Sequence, residues 1–199
     1  MKSELQPFLQ TDEFIDWQTP TIARLARELA GNSTSDAEIA EKCFTWVRDE
    51  VRHCLDYKLE IMTCRASEVL QARCGYCYAK SHLLAALLRA NRIPAGMVYQ
   101  RLSLYDNGAP YCLHGLNAVY LRDFGWYRID PRGNRPGIDA RFCPPTEKLA
   151  FAVDNRRTYD LPGIFATPWP VITSFLQEYD SVTASLAHLP DDPRAEVAS

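Results

Sequence analysis

Two cysteines three residues apart, Cys74 and Cys77, stand directly before a strongly apolar run of the sequence. Such a pair can be a thiol–disulfide redox couple, half of a structural zinc site, or the location of a nucleophile for acyl transfer. The redox interpretation needs a strand before the motif, whereas residues 67–73 are polar and helix-like. The zinc interpretation needs a second closely spaced pair, whereas Cys54 and Cys64 stand alone. We therefore predict no metal site and favour a nucleophile.

Cys77 would lie in the first turn of a helix, where the free amide groups favour a thiolate and face a developing oxyanion. A thiol nucleophile also needs a base, and a third group that orients the base. His82 lies five residues along the same helix and points to a different side, while His53 and His188 lie near the ends of other helices. The sequence therefore predicts His114 as the base, at the start of the strand "HGLNAVYL".

Asp130 ends the next predicted strand, "WYRID". A tight turn near residues 123–125 would pair this strand antiparallel with the strand of His114. His114 and Asp130 would then lie at the same open end of a hairpin, facing the helix that begins at Cys77. The three residues predict a nucleophile, a base and an orienting carboxylate at one edge of a sheet.

The elements that position these residues follow from periodicity and capping signals. The strand signals lie next to one another after the first helices, which predicts an α+β fold with helices packed on an antiparallel sheet. The predicted helices are 19–32, 33–51, 65–73, 78–90 and 171–189, and the predicted strands are 95–105, 112–121 and 126–130.

The sequence shows no repeat or convincing linker, so a single domain over residues 1–199 is the simplest interpretation. Its core is predicted over about 35–135, followed by a C-terminal helical segment over about 168–189 and a loose tail from residue 190.

The composition excludes several classes of protein. The chain is 47% hydrophobic and 24% charged with a formal net charge of −3, which gives no electrostatic case for a nucleic-acid or membrane-surface partner. The N-terminus lacks the apolar core of a signal peptide, and no run reaches the roughly 18 apolar residues that span a bilayer. We therefore expect a soluble, cytoplasmic protein.

The seven cysteines are an odd number, which predicts reduced thiols rather than a disulfide framework. Outside the Cys74–Cys77 pair, free cysteines commonly serve as small buried apolar side chains. We predict that role for Cys43, Cys54, Cys64, Cys112 and Cys143.

Three blocks of the sequence resemble the transglutaminase-like cysteine enzymes: "GYCYAKSHLLAALLRANRIPAG", "HGLNAVYL" and "GWYRIDPRGN", which lie within residues 66–134. The resemblance implies a papain-like core with Cys77 as nucleophile, His114 as base and Asp130 as the orienting carboxylate. Papain-type enzymes also use a glutamine about six residues before the nucleophile to bind the oxyanion. Gln71 has that spacing.

The resulting prediction is an acyl-transfer enzyme that hydrolyses an amide or peptide bond of a peptide, protein or small amide, without a cofactor. Two alternatives stay open. The segment "RCGYC" resembles the nucleophile region of the arylamine N-acetyltransferases, which use acetyl-CoA, and a non-catalytic binding module could retain the fold. Cys74 is either structural or a redox partner that forms a reversible disulfide with Cys77. The sequence does not decide between hydrolysis and transamidation, nor does it predict an oligomeric state.

Overall fold

The computed structural model describes residues 4–105, 108–154 and 156–194. Short 3-10 turns lie at Gln6–Leu9 and Leu186–His188. The α-helices are α1 (Pro20–Ala30), α2 (Asp36–Glu50), α3 (Ala66–Ala72), α4 (Cys77–Ala90), α5 (Pro170–Glu178) and α6 (Val182–Ser185). The strands are β1 (Arg52–His53), β2 (Cys74–Gly75), β3 (Ala95–Tyr105), β4 (Gly108–Leu121), β5 (Gly125–Ile129) and β6 (Tyr159–Asp160).

The larger sheet is antiparallel, with the strand order β5–β4–β3–β6. β4 pairs with β3 on one side, where Gln100 faces His114, and with β5 on the other, where Asn117 faces Ile129. Helices pack on this sheet. The predicted α+β class with an antiparallel sheet is therefore confirmed.

Helix α4 is covered on all sides, because every residue from Cys77 to Arg89 is buried. It packs against α1, α2, α3 and β4. Its Leu- and Ala-rich sequence favours a helix and supplies apolar contacts in every direction. Even Arg89 is satisfied, since its guanidinium donates hydrogen bonds to the carbonyls of Gln10, Ala95 and Ala166. The first turn of α4 is consequently held in a fixed position.

A glycine brings β4 close to that first turn. A Cβ atom at Gly115 would lie 2.8 Å from the ring and 3.1 Å from the Cα atom of Tyr78. Real Cβ atoms do not approach a backbone atom and a packed ring this closely. The absence of a side chain at Gly115 therefore allows β4 to run directly past the start of α4.

The C-terminal helix predicted over 171–189 is wrong as a single helix. α5 ends at Glu178, and α6 begins after Ser181, whose hydroxyl accepts a hydrogen bond from the amide of Ala184 at 3.2 Å. Serine competes for backbone groups and favours a helix N-cap over a helix interior. The apolar periodicity continues from α5 into α6, so it does not reveal that the helix is interrupted at Ser181.

The predicted loose tail is also wrong as far as residue 194. The amide of Leu113 on β4 donates a hydrogen bond to the carbonyl of Pro190 at 2.7 Å. Asp191 accepts two hydrogen bonds from Arg101, at 2.6 and 2.7 Å. The rest of the predicted tail, residues 195–199, lies outside the described residues.

The seven cysteines are free thiols. Cys43, Cys54 and Cys64 are buried as predicted, and Cys112 is partly buried. Cys143 is exposed, so the prediction of a buried apolar role is wrong there. It lies in a loop, and its thiol donates a hydrogen bond to the carbonyl of Thr146 at 3.2 Å. None of the helices in the described part of the chain is long and apolar enough to cross a membrane.

Candidate active site

Cys77 is the first helical residue of α4. The preceding Tyr76 is extended, with φ −64° and ψ 164°, so the chain turns into the helix at the cysteine itself. The amide of Cys77 belongs to the first turn, whose N–H groups have no acceptor inside the helix. The hydroxyl of Ser81 lies 2.9 Å from the carbonyl of Cys77 and 3.1 Å from that of Gly115, which links α4 to β4. The thiol is therefore held between a helix N-terminus and the central strand.

His114 lies on β4 beside this thiol. Its Nε2 atom is 2.8 Å from Oδ2 of Asp130, and its ring also hydrogen-bonds to the thiol of Cys77. Because Nε2 is engaged by the carboxylate, Nδ1 is the ring nitrogen left to interact with the sulfur. The amide nitrogen of Gly115 lies 3.5 Å from the same sulfur. The structure thus brings Cys77, His114 and Asp130 together in the predicted order.

Asp130 follows the last residue of β5 and is completely buried. Its carboxylate also accepts hydrogen bonds from the amides of Arg132 and Ala150, each at 3.1 Å. Burial by itself raises the pKa of Asp130, but the charge of His114 and these hydrogen bonds outweigh it and lower the pKa below its usual value. The carboxylate is therefore ionised at neutral pH and fixed in orientation.

The surroundings of His114 determine the charge of its imidazole. Burial lowers the pKa of His114, but the charges of Asp130 and Cys77 and the hydrogen bonds to both raise it to about 10. The ring of Phe151 covers His114 edge-on, with centroids 5.0 Å apart, and helps to keep water away. At neutral pH His114 is therefore an imidazolium, held 2.8 Å from the Asp130 carboxylate.

The structure does not bring Gln71 to this group. Gln71 is exposed on α3, where it borders a surface depression with Thr19 and Arg24. No hydrogen bond in the described part of the chain joins it to Cys77, His114 or Asp130, which we call the triad. Arg73, which follows the last residue of α3, adopts the left-handed conformation with φ 53°, and β2 separates α3 from α4. This reversal of the chain means that a six-residue spacing does not place Gln71 beside the thiol.

Cys74 lies in β2, which pairs in parallel with β1. Its carbonyl accepts a hydrogen bond from the Thr63 hydroxyl at 3.0 Å, and burial raises the pKa of its thiol. Burial likewise raises the pKa of Cys54, and raises that of Cys112 to about 12. These neighbouring thiols are protonated at neutral pH, which makes them poor nucleophiles. The redox role of Cys74 stays a prediction.

Residues beyond the triad segments close the site. The Tyr76 hydroxyl lies 2.8 Å from that of Ser185, and the ring of Phe175 contacts both Tyr76 and Tyr78. With Pro190 paired to Leu113, these contacts place the C-terminal segment against the neighbours of both Cys77 and His114. Cys77 is consequently only 7% exposed.

Two parts of this site carry no signal in the sequence. The hydrogen bond from Ala150 to Asp130 uses a backbone amide, which any residue except proline could supply. The β1–β2 pair is two residues long in each strand, too short for a periodic pattern. In the part of the chain that the structure describes, no three His, Cys, Asp or Glu side chains cluster as metal ligands would.

The family model for the transglutaminase-like superfamily matches residues 23–131, more than half of the chain. This range includes Cys77, His114 and Asp130. A search of curated proteins finds no match to the sequence.

Two solved structures are similar to this chain at low sequence identity. A candidate cysteine protease from Cytophaga hutchinsonii is 20% identical with a TM-score of 0.53, covering 66% of this chain and 43% of that chain. The periplasmic domain of TgpA from Pseudomonas aeruginosa is 20% identical with a TM-score of 0.49, covering 66% of this chain and 47% of that chain. This chain spans less than half the length of either one.

Proposed function

This chain belongs to the transglutaminase-like superfamily, and on that premise we propose that it is a thiol acyl-transfer enzyme that hydrolyses amide or peptide bonds. The observation that carries the proposal is the buried relay from Cys77 through His114 to Asp130. A thiol, an imidazole and a carboxylate in hydrogen-bond contact are the groups that nucleophilic acyl transfer requires.

In the first half of the reaction, the Cys77 thiolate attacks the carbonyl carbon of the substrate. A C–S bond forms, and the π electrons of the carbonyl move onto its oxygen. The amide of Cys77 at the N-terminus of α4 faces this oxyanion and stabilises it. His114 then gives its Nδ1 proton to the departing nitrogen, the C–N bond breaks, and an amine leaves behind a thioester.

In the second half, neutral His114 takes a proton from water, and the oxygen attacks the thioester carbonyl. Collapse of this tetrahedral intermediate breaks the C–S bond, which releases a carboxylic acid and restores the Cys77 thiolate beside the imidazolium. Asp130 stays ionised throughout, and its charge stabilises the imidazolium and fixes which ring nitrogen faces the sulfur. The proposed chemistry uses only these three side chains, the backbone amide of Cys77 and water.

The test of an activated thiol uses a comparison within the chain. Cys143 is exposed, whereas Cys77 is only 7% exposed, so accessibility alone makes Cys143 the faster thiol. If Cys77 is held as a thiolate, limited labelling with iodoacetamide modifies it about tenfold faster or more, as measured by peptide mass spectrometry. Faster labelling of Cys143 than of Cys77 would contradict the proposal.

The acyl-transfer step is tested with a set of fluorogenic peptide amides. We expect amine release by the wild-type chain and none by Cys77→Ala, with Cys143→Ala as the matched control. Acetylation of Cys77 by acetyl-CoA, detected as an added acetyl group in the intact mass, would support the acetyltransferase alternative instead. The substrate and the cytoplasmic location stay predictions.

A further inference from the structure

A second group of buried charged side chains surrounds a small cavity of about 120 Å³ near the triad. The cavity lies between the end of α2, strand β1, helix α4 and the loop after Asp130. The residues that matter for its chemistry are His53, Asp56, Lys80 and Arg132. None of them takes part in the proposed reaction.

Lys80 provides a buried positive charge without a negative partner. Its side chain is fully buried, and its ammonium donates hydrogen bonds to the carbonyls of Arg48, at 3.3 Å, and Val51. No carboxylate of the described residues forms an ion pair with it, and one of its three protons has no acceptor among them. Burial, together with the charge of Arg132, lowers the pKa of Lys80 to about 7, although the charges of Asp130, Asp49 and Asp56 act in the opposite direction. A buried ammonium in this state favours a nearby anion.

His53, which also lines the cavity, has a ring nitrogen without a hydrogen-bond partner in the described part of the chain. It is 5% exposed, and its Nδ1 atom has no hydrogen-bond partner among the described residues. Burial and the charge of Arg132 lower the pKa of His53 to about 3, so the ring is neutral and can carry its proton on Nδ1. A buried polar atom without a partner is costly, and such atoms are normally satisfied by protein, water or a ligand.

The carboxylates of the cavity already have partners. Asp56 accepts hydrogen bonds from Arg132 at 2.6 and 3.0 Å and also pairs with Arg135 at 3.4 Å. Asp49 accepts two hydrogen bonds from Arg48 at 2.7 Å. Among the described residues, an ammonium proton of Lys80 and a ring nitrogen of His53 therefore stay available to a ligand.

We propose that this cavity binds a small carboxylate, whose oxygens accept hydrogen bonds from the Lys80 ammonium and from Nδ1–H of His53. A volume of about 120 Å³ is too small for a whole peptide or nucleotide but accommodates a single functional group. A carboxylate supplies the missing negative charge and enough lone pairs for both donors.

The position of the cavity gives the carboxylate two possible sources. Lys80 lies one helical turn after Cys77, and Arg132 donates its amide to Asp130. A carboxylate held there belongs either to the substrate, near the bond that reacts, or to a free organic acid. The two sources share one chemistry and are separated by experiment.

The first experiment titrates sodium acetate into the Cys77→Ala chain, with the ionic strength held constant by HEPES, which is too large for the cavity. The histidines are ¹⁵N-labelled, and the Nδ1 resonance of His53 is followed by NMR. We expect a saturable shift with acetate and none with acetamide, its neutral isostere. No saturable shift, or an equal response to acetamide, would overturn the proposal. Because a chain without its nucleophile is used, the result does not depend on the proposed function.

The second experiment compares two lysine substitutions of equal charge change. Loss of a charge-assisted hydrogen bond predicts that Lys80→Met binds acetate at least about tenfold more weakly than the chain with Lys80. Lys42→Met, at a lysine that is 41% exposed on α2, is expected to leave the affinity unchanged. If Lys80→Met does not fold, His53→Phe serves in its place, with loss of acetate binding measured by calorimetry. Equal affinity for acetate in the cavity variant and in Lys42→Met would contradict the proposed carboxylate site.

The third experiment distinguishes the sources by adding a short peptide acid and its C-terminal amide to the same Cys77→Ala chain. If the substrate supplies the carboxylate, the peptide acid competes with acetate and the amide does not. If a free organic acid is the ligand, neither peptide displaces acetate. Either result upholds the carboxylate site, whereas displacement by the amide alone would contradict it.

Discussion

His114 and His53 are buried to nearly the same extent, at 4% and 5% exposure, yet their environments shift their pKa values in opposite directions. The triad surrounds His114 with two groups of opposite charge, and its pKa rises to about 10. Around His53, burial and the charges of Arg132 and Lys80 outweigh the opposing charge of Asp56, and its pKa falls to about 3. Burial disfavours a charged imidazole in both places. What differs is whether an anion is in contact with the ring.

The comparison explains how one small region holds both kinds of site. In the triad, the Asp130 carboxylate and the His114 imidazolium match each other within the protein, so this buried charge needs no ligand. In the cavity around Lys80, the charges of the described residues leave one ammonium unmatched. The four predictions below test this difference, from the largest expected effect to the smallest.

Removing the proposed nucleophile should abolish the activity of the triad. Cys77→Ala is expected to lower kcat/KM for peptide-amide hydrolysis by about 10⁴-fold or more, because no other group of the site can form the thioester. Cys143→Ala is the control, since an exposed thiol in a distant loop leaves the rate unchanged. Full activity in Cys77→Ala would mean that the nucleophile lies elsewhere.

Removing the carboxylate makes His114 resemble His53. Asp130→Asn keeps the shape of the side chain but removes its charge, so we expect the pKa of His114 to fall from about 10 towards or below its ordinary value of 6.5. A loss of about 10³-fold in kcat should accompany it. An NMR titration of His114 gives the pKa directly. An unchanged titration would show that the carboxylate does not control the imidazole, and exposed Asp139→Asn is the matched control.

The two histidines should also have opposite effects on the pH dependence of stability. The pKa of His114 is raised by folding, so its contribution to stability is complete below pH 6.5 and is lost as the pH rises through about 10. The pKa of His53 is lowered, so the unfolded chain binds its proton first, and stability falls as the pH drops from 6.5 towards 3.

The acidic effect of His53 can be isolated by substitution. His53→Phe should reduce the acid-side slope of the free energy of unfolding by about 1 kcal/mol per pH unit below pH 6. Urea denaturation at a series of pH values measures this slope. The buried His82, whose pKa is about 4 because burial disfavours its charge, continues to contribute in the variant. An identical slope in wild type and variant would contradict the neutral state of His53.

The smallest expected effect concerns Gln71. Because its side chain is exposed on α3 and does not contact the triad, Gln71→Ala should change kcat/KM by less than about twofold, within the range of ordinary surface substitutions. The same kinetic assay measures it. A loss of a hundredfold would restore Gln71 as an oxyanion group and would require α3 to move during the reaction.

The triad segments could be predicted because each depends on local patterns. A helix that begins at Cys77 and a hairpin that places His114 near Asp130 follow from periodicity and turn residues over short stretches. The predictions that failed depend on longer-range or single-residue effects. Ser181 interrupts the last predicted helix, and Pro190 is held by a strand some 75 residues earlier in the chain.

The sequence by itself determined the residue types of the reaction and the order of the elements that carry them, because hydrogen bonding and apolar spacing within one helix or hairpin are local properties. Only the tertiary structure decided which buried groups are charged. His114 and His53 are the same residue type, and their pKa values differ because field and solvation depend on the atoms within a few ångströms. The deciding charges come from Asp130 and Cys77 in one case, and in the other from Arg132 and Lys80, which together with burial outweigh Asp56.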